Sequence, residues 1–178
     1  MENFIHLLLS TIISSTVVAA VINILYKRRT EKIVNEMKMQ YDQITLTIKS
    51  RYSWKEKALA ELLGPVNILL NRTVRAFNRY NANNIYLEAK VLKEGNETIR
   101  NLLLEKSYLI PNELLMEADN LIEHYDRWLE EYDKVRNTTN PDLKTPFVFV
   151  GTKGFPFPKI SADKFQLVYN KIWNEVYG

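Results

Sequence analysis

The chain has no cysteine, and that one absence excludes disulfide frameworks, zinc ribbons, iron–sulfur clusters and thiol nucleophiles together. Histidine is almost as scarce: only His6 and His124 occur, too few and too differently placed for most metal sites and His-based triads. Five glycines leave no room for a GxGxxG or GxxxxGK(S/T) phosphate loop, and none is present. Neither sign of charge dominates. With 24 Lys and Arg against 21 Asp and Glu, a net charge of +3 is too small to argue for nucleic acid by itself. What the 178 residues do hold is ordinary globular usage, 46% hydrophobic and 25% charged, enough for one domain and little more. No residue cluster asks for a cofactor or a metal, and none is expected. Hydrophobicity is spread unevenly along the chain, and that unevenness guides the rest of the reading.

From Phe4 to Tyr26 the sequence runs FIHLLLSTIISSTVVAAVINILY, 23 residues without a formal charge. As a helix this would extend roughly 35 Å, against a hydrocarbon core of about 30 Å. A cleaved signal peptide would want a basic leader and a shorter apolar run, whereas this leader is Met-Glu-Asn. Residues 1–26 therefore read as an uncleaved transmembrane anchor. Lys27, Arg28 and Arg29 follow at the membrane interface, and the positive-inside rule puts the N-terminus outside and the C-terminal body in the cytoplasm.

The anchor carries a polar stripe. Asn3, His6, Ser10 and Ser14 recur at helical spacing, and Val17 and Val21 continue the stripe as apolar residues. Ser and Thr in such helices often bond the carbonyl four residues back and face anything. They also line helix–helix contacts, where small side chains allow close approach. Self-association of the anchor is the expectation, with these six residues as candidates to line a pore.

After the basic triplet no breaker occurs until Gly64-Pro65, so residues 27–63 read as one long stalk helix with Ile33, Met37, Tyr41, Ile44 and Ile48 on one stripe. Lys27 to Arg51 holds seven basic and three acidic residues, which suits anionic headgroups or an acidic neighbour. Residues 64–178 read as a helical bundle. Pro65 opens a helix, the Asn-rich stretch 81–84 marks a turn, and a further helix over about 85–106 is weakened at Gly95. Pro111 begins the clearest helix. Leu114, Ala118, Leu121, Tyr125, Trp128, Tyr132 and Val135 alternate four and three without a miss, with Leu115, Ile122 and Leu129 broadening the face. Its other face is acidic, eight Asp and Glu against three Lys and Arg over 111–136, complementary to the basic stalk. The Pro/Phe-rich loop 137–158 holds four of the six prolines, which limit any small hairpin to edge pairing, and its phenylalanines read as a packed strap in preference to a contact surface. Ser161 then caps a last helix.

One constellation bears on catalysis. Asn120 and His124 resemble the second half of the Arg–polar–x3–His motif of HEPN ribonucleases, where His acts on the ribose 2′-hydroxyl and Arg stabilises phosphate charge. Asp119 stands where the Arg should be, and an acid beside the scissile phosphate would repel it. Arg127 or Arg100 could substitute only from elsewhere. The plainer reading leaves His124 at the edge of the apolar seam, bonded to a polar neighbour, and the protein non-enzymatic.

An N-terminal membrane helix, a basic stalk, a HEPN-like bundle with the degenerate Asn120–His124 motif and a length of 178 together resemble the small membrane accessory protein of type VI-B CRISPR systems. The resemblance implies an all-α protein with one transmembrane helix and a cytoplasmic HEPN-like bundle. It also implies a homo-oligomeric pore in the bacterial inner membrane that enhances antiphage defence beside an RNA-guided RNase effector. Expected partners are the bilayer and other copies of the chain, in a ring of about eight; with helices about 9 Å apart such a ring leaves a lumen of roughly 6–7 Å radius, against about 3 Å for a ring of five. A membrane-tethered HEPN ribonuclease and a passive tether for a cytoplasmic partner are the alternatives.

Overall fold

The computed structural model describes every residue except 80–83, 140, 142, 145, 146, 148 and 150–155; for Glu2, Asn3 and residues 7–14 it describes the backbone but not the side chains. The described residues are mostly helical, without a strand. Among the described residues five α-helices follow one another: α1 (Glu2–Ala58), α2 (Gly64–Arg79), α3 (Glu94–Glu105), α4 (Leu115–Arg136) and α5 (Lys159–Tyr177). The chain divides into two compact units, Met1–Ser50 and Arg51–Gly178.

The first unit is the greater part of α1. No glycine or proline occurs before Gly64, so nothing in the sequence interrupts the helix, and anchor and stalk form one continuous element. Its described side chains are exposed, except for the half-buried Thr45. The transmembrane anchor expected over residues 1–26 is corrected here: among the described residues no helix is long and apolar enough to cross a membrane. This holds for the described side chains, which after His6 resume only at Ser15. From Ser15 to Tyr26 the side chains are uncharged but include Ser15, Thr16 and Asn23, and the Lys27-Arg28-Arg29 triplet stops the run. That described stretch covers only about 18 Å of helix, well short of a hydrocarbon core of about 30 Å; the side chains of residues 7–14 before it lie outside the described ones.

The second unit is the bundle. Pro65 lacks an N–H, and in a regular helix its ring would press on the carbonyl of Glu61. The chain widens instead of breaking. Leu59–Leu63 forms a π turn in which the Gly64 N–H donates to the Leu59 carbonyl, five residues back. A Cβ on Gly64 would stand 2.8 Å from that oxygen, so the position needs glycine. A second π stretch, Leu87–Lys93, leads into α3. Gly95 does not weaken α3. It is buried where α3 meets α2, and a Cβ there would stand 2.7 Å from Thr73 Cγ2.

Two apolar clusters hold the bundle. The larger gathers Leu62 and Leu63, Val66 and Leu70 of α2, Ile99 and Leu103 of α3, and Phe165, Val168 and Ile172 of α5 around Leu114, Ala118, Leu121 and Tyr125. The smaller packs Trp128 and Tyr132 with Ala76, Leu87, Val91, Leu92, Phe147 and Phe149. The four-three seam of α4 thus runs through both, and Trp128, Tyr132 and Phe147 form a tight aromatic triad with centroids 5.0–5.4 Å apart. Leu115 departs from the expected face and is exposed. Part of the acidic side of α4 is answered inside the bundle: Asp126 pairs with Arg100 of α3, Glu117 with Lys164 of α5 at 2.6 Å, and Glu113, just before α4, with Lys171 at 3.1 Å. Among the described residues one ion pair is buried. Arg136, at the end of α4, donates to both carboxylate oxygens of Glu88 at 2.5 and 3.0 Å.

Phe147 and Phe149 of the loop are buried, Phe157 packs against the larger cluster, and Phe155 and the GTKG segment lie outside the described residues, as do 81–83 of the Asn-rich turn. Ser161 does not cap α5. The helix begins at Lys159 behind Pro158, and Ser161 sits buried in its first turn.

Candidate functional site

The site singled out by sequence is built on the middle of α4. A spacing of four places Asn120 and His124 one turn apart, yet they have different surroundings. Asn120 is exposed and donates through Nδ2 to Ser161 Oγ of α5 at 3.4 Å. His124 is buried, 5% exposed, because the loop lays aromatic rings over the edge of the seam. The imidazole meets Tyr125, Phe149 and Phe157 edge-on, with centroids 5.3, 5.5 and 5.4 Å away. Among the described residues neither His124 Nδ1 nor the Tyr125 hydroxyl has a hydrogen-bond partner. Burial in that apolar cage pulls the His124 pKa down from 6.5 to about 4, and pushes the Tyr125 hydroxyl upward.

The chemistry follows from that cage. At pH 7 a group titrating at about 4 is protonated in roughly one molecule in a thousand, which leaves almost no general acid. Nor do Arg100 and Arg127, the two substitutes that sequence offered, stand as free guanidinium groups for the ring. Arg100 is held by Asp126, and Arg127 lies along the helix surface with Glu123 at 2.7 Å. Asp119, in the position of the missing Arg, is exposed. Asn120 and His124 are therefore neighbours on one helix without forming a joint site.

Of the residues expected to line a pore, His6, Val17 and Val21 are exposed on α1, while the side chains of Asn3, Ser10 and Ser14 lie outside the described residues. Lys27, Arg28 and Arg29 are exposed, one turn before an exposed Lys32–Glu36 pair at 3.9 Å. Among the described residues no group of three or more His, Asp or Glu side chains could hold a metal ion.

Two features escaped the sequence. The Glu88–Arg136 pair joins residues 48 apart, and no local pattern signals it. The other is a cleft beside α2 lined by Arg72, Arg75 and Arg79. Here a signal did exist: the three arginines recur at three and four on a helix without an acidic residue.

Comparison of the chain with protein-family models, curated proteins and solved structures finds no match.

Proposed function

We propose that the protein is a non-enzymatic, self-associating helical protein that acts at the bacterial inner membrane. There it would enhance antiphage defence, beside an RNA-guided RNase of type VI-B CRISPR systems, by permeabilising or depolarising the membrane. One observation carries the reading: α1 leaves Val17, Val18, Val21, Ile22, Ile24 and Leu25 exposed immediately before the Lys27-Arg28-Arg29 triplet. Soluble monomers seldom display such a contiguous apolar surface. An apolar segment flanked by basic residues gains both from burial at a bilayer interface and from anionic headgroups, and copies packed side by side cover what lipid does not. The buried, neutral His124 speaks against the ribonuclease alternative and for a bundle whose part is structural.

The test is Val21→Glu together with Leu25→Glu, one turn apart on exposed positions of α1. Membrane potential is followed by a voltage-sensitive dye in cells whose defence system has been triggered. Wild type should depolarise the cells and run in mild detergent as a discrete assembly well above the 20.9 kDa of one chain. The double variant should do neither, while its bundle keeps the wild-type melting curve. A monomeric wild type, or a triggered cell that stays polarised, would overturn the proposal. Membrane association without depolarisation would favour a passive tether.

A further inference from the structure

The cleft beside α2 is a second place where chemistry gathers, remote in character from the aromatic cage of His124. It encloses about 670 Å³ between α2 and the π stretch that precedes α3, within the range of small-ligand sites. Arg72, Arg75 and Arg79 stand along one of its walls, all exposed. The floor is apolar, with Ala76, Leu87 and Val91 shared with the smaller core cluster. At the rim Tyr86 is 69% exposed.

Arg79 in the last turn of α2 is accounted for by the helix dipole, which favours a cation there. Arg72 and Arg75 lie too far back for that. Three like charges at spacings of three and four repel one another along a helix face. Nothing nearby relieves them in full: among the described residues neither Arg75 nor Arg79 has an ion-pair partner, and Glu94, which feels Arg72, is already bonded by Lys90 at 2.8 Å. Guanidinium forks match phosphate oxygens in geometry and charge. An exposed aromatic ring beside them, above an apolar floor, offers what a nucleobase stacks on.

We propose that this cleft binds a phosphorylated nucleoside, with the phosphate held by Arg72, Arg75 and Arg79 and the base against Tyr86. The same chemistry is presented by a free nucleotide and by the 5′-terminal nucleotide of an RNA strand. The site does not depend on the membrane reading of α1, and its test does not use membrane activity.

The full-length protein in mild detergent is titrated calorimetrically with ATP, adenosine, pyrophosphate, a 5′-phosphorylated tetraribonucleotide and the same oligomer with a 5′-hydroxyl. Arg75→Gln with Arg79→Gln should weaken the binding of nucleotide or 5′-phosphorylated oligomer by about tenfold or more, and Tyr86→Ala by about tenfold. Tyr86→Phe should bind as wild type does. Unchanged circular dichroism of these surface variants separates lost binding from lost folding. Tighter binding of ATP than of the oligomer identifies a free nucleotide as the ligand, and the reverse order with preference for the 5′-phosphate identifies an RNA end. The proposal is overturned by pyrophosphate binding as tightly as both nucleotide probes, or by binding that ignores the arginine substitutions. It is equally overturned if neither nucleotide probe binds while phosphatidylglycerol vesicles are held in an Arg75- and Arg79-dependent way, or if no probe binds at all.

Discussion

Replacing His124 by leucine tests the aromatic cage most directly. In the unfolded chain the imidazole titrates near 6.5, and in the folded chain at about 4. Between those values the unfolded state takes up a proton that the folded state refuses, so acid favours unfolding. The contribution of neutral His124 is fully present above 6.5 and is lost as pH falls toward about 4. The gap of about 2.5 pH units, at 1.36 kcal/mol each, amounts to about 3 kcal/mol in all and to about 2 kcal/mol by pH 5. His124→Leu removes the titration, and with it the Nδ1 that finds no partner among the described residues. Near pH 7.5 the forfeited edge-on ring packing, about 0.5–1.5 kcal/mol per ring, offsets a relieved polar burial of about 1–3 kcal/mol. The variant should therefore be close to wild type in stability there. Urea unfolding of both proteins from pH 7.5 to 5 should give curves that part as pH falls, the variant ending about 2 kcal/mol the more stable. The carboxylates cancel in that difference because both proteins share them. Parallel curves would refute the reasoning, since they would mean that the ring is charged or solvated in the folded state. RNA cleavage that needs His124 would refute it equally.

Two further outcomes follow from the packing. Glu88→Gln or Arg136→Met alone breaks a buried ion pair and should cost about 3–5 kcal/mol in urea unfolding, whereas Glu88→Leu combined with Arg136→Met should recover most of the loss. Gly95→Ala drives a methyl against Thr73 Cγ2 and should cost about 1–3 kcal/mol; adding Thr73→Ser removes that carbon and should restore most of the melting temperature.

The regular parts of the bundle were legible because α4 repeats its apolar residues at the helical period, and Leu114, Ala118, Leu121, Tyr125, Trp128 and Tyr132 are all buried. Gly64-Pro65 was visible as a disturbance, but a π turn differs from a helix end by one residue of registration, which pattern alone does not resolve. Asn120 and His124 looked like a pair because spacing places residues on a face without saying what covers that face. Phe149 and Phe157, which bury the imidazole, arrive from a loop whose path no periodicity dictates. Ser161 matched the cap preference of its residue type, yet Pro158 had already set where α5 could begin. The cleft arginines were readable in advance from spacing, but their concave setting required α2 and the following π stretch to be brought together.

The π turn at Leu59–Leu63 also acts as a phase shifter. Each residue added to a helix turns everything beyond it by about 100°, and a π turn spends one such residue without closing a regular turn. Which side of α2 faces inward is thus decided by a count made before α2 begins. Val66 and Leu70 enter the core, and Arg72, Arg75 and Arg79 line the cleft, because the offset at Leu59–Leu63 sets their azimuth. Were the helix regular there, the same residues, with the same hydrophobicity and charge, would be turned by roughly a quarter of a circle. The compass bearing of the basic cleft is written just upstream of α2, in a segment that touches none of the arginines in sequence.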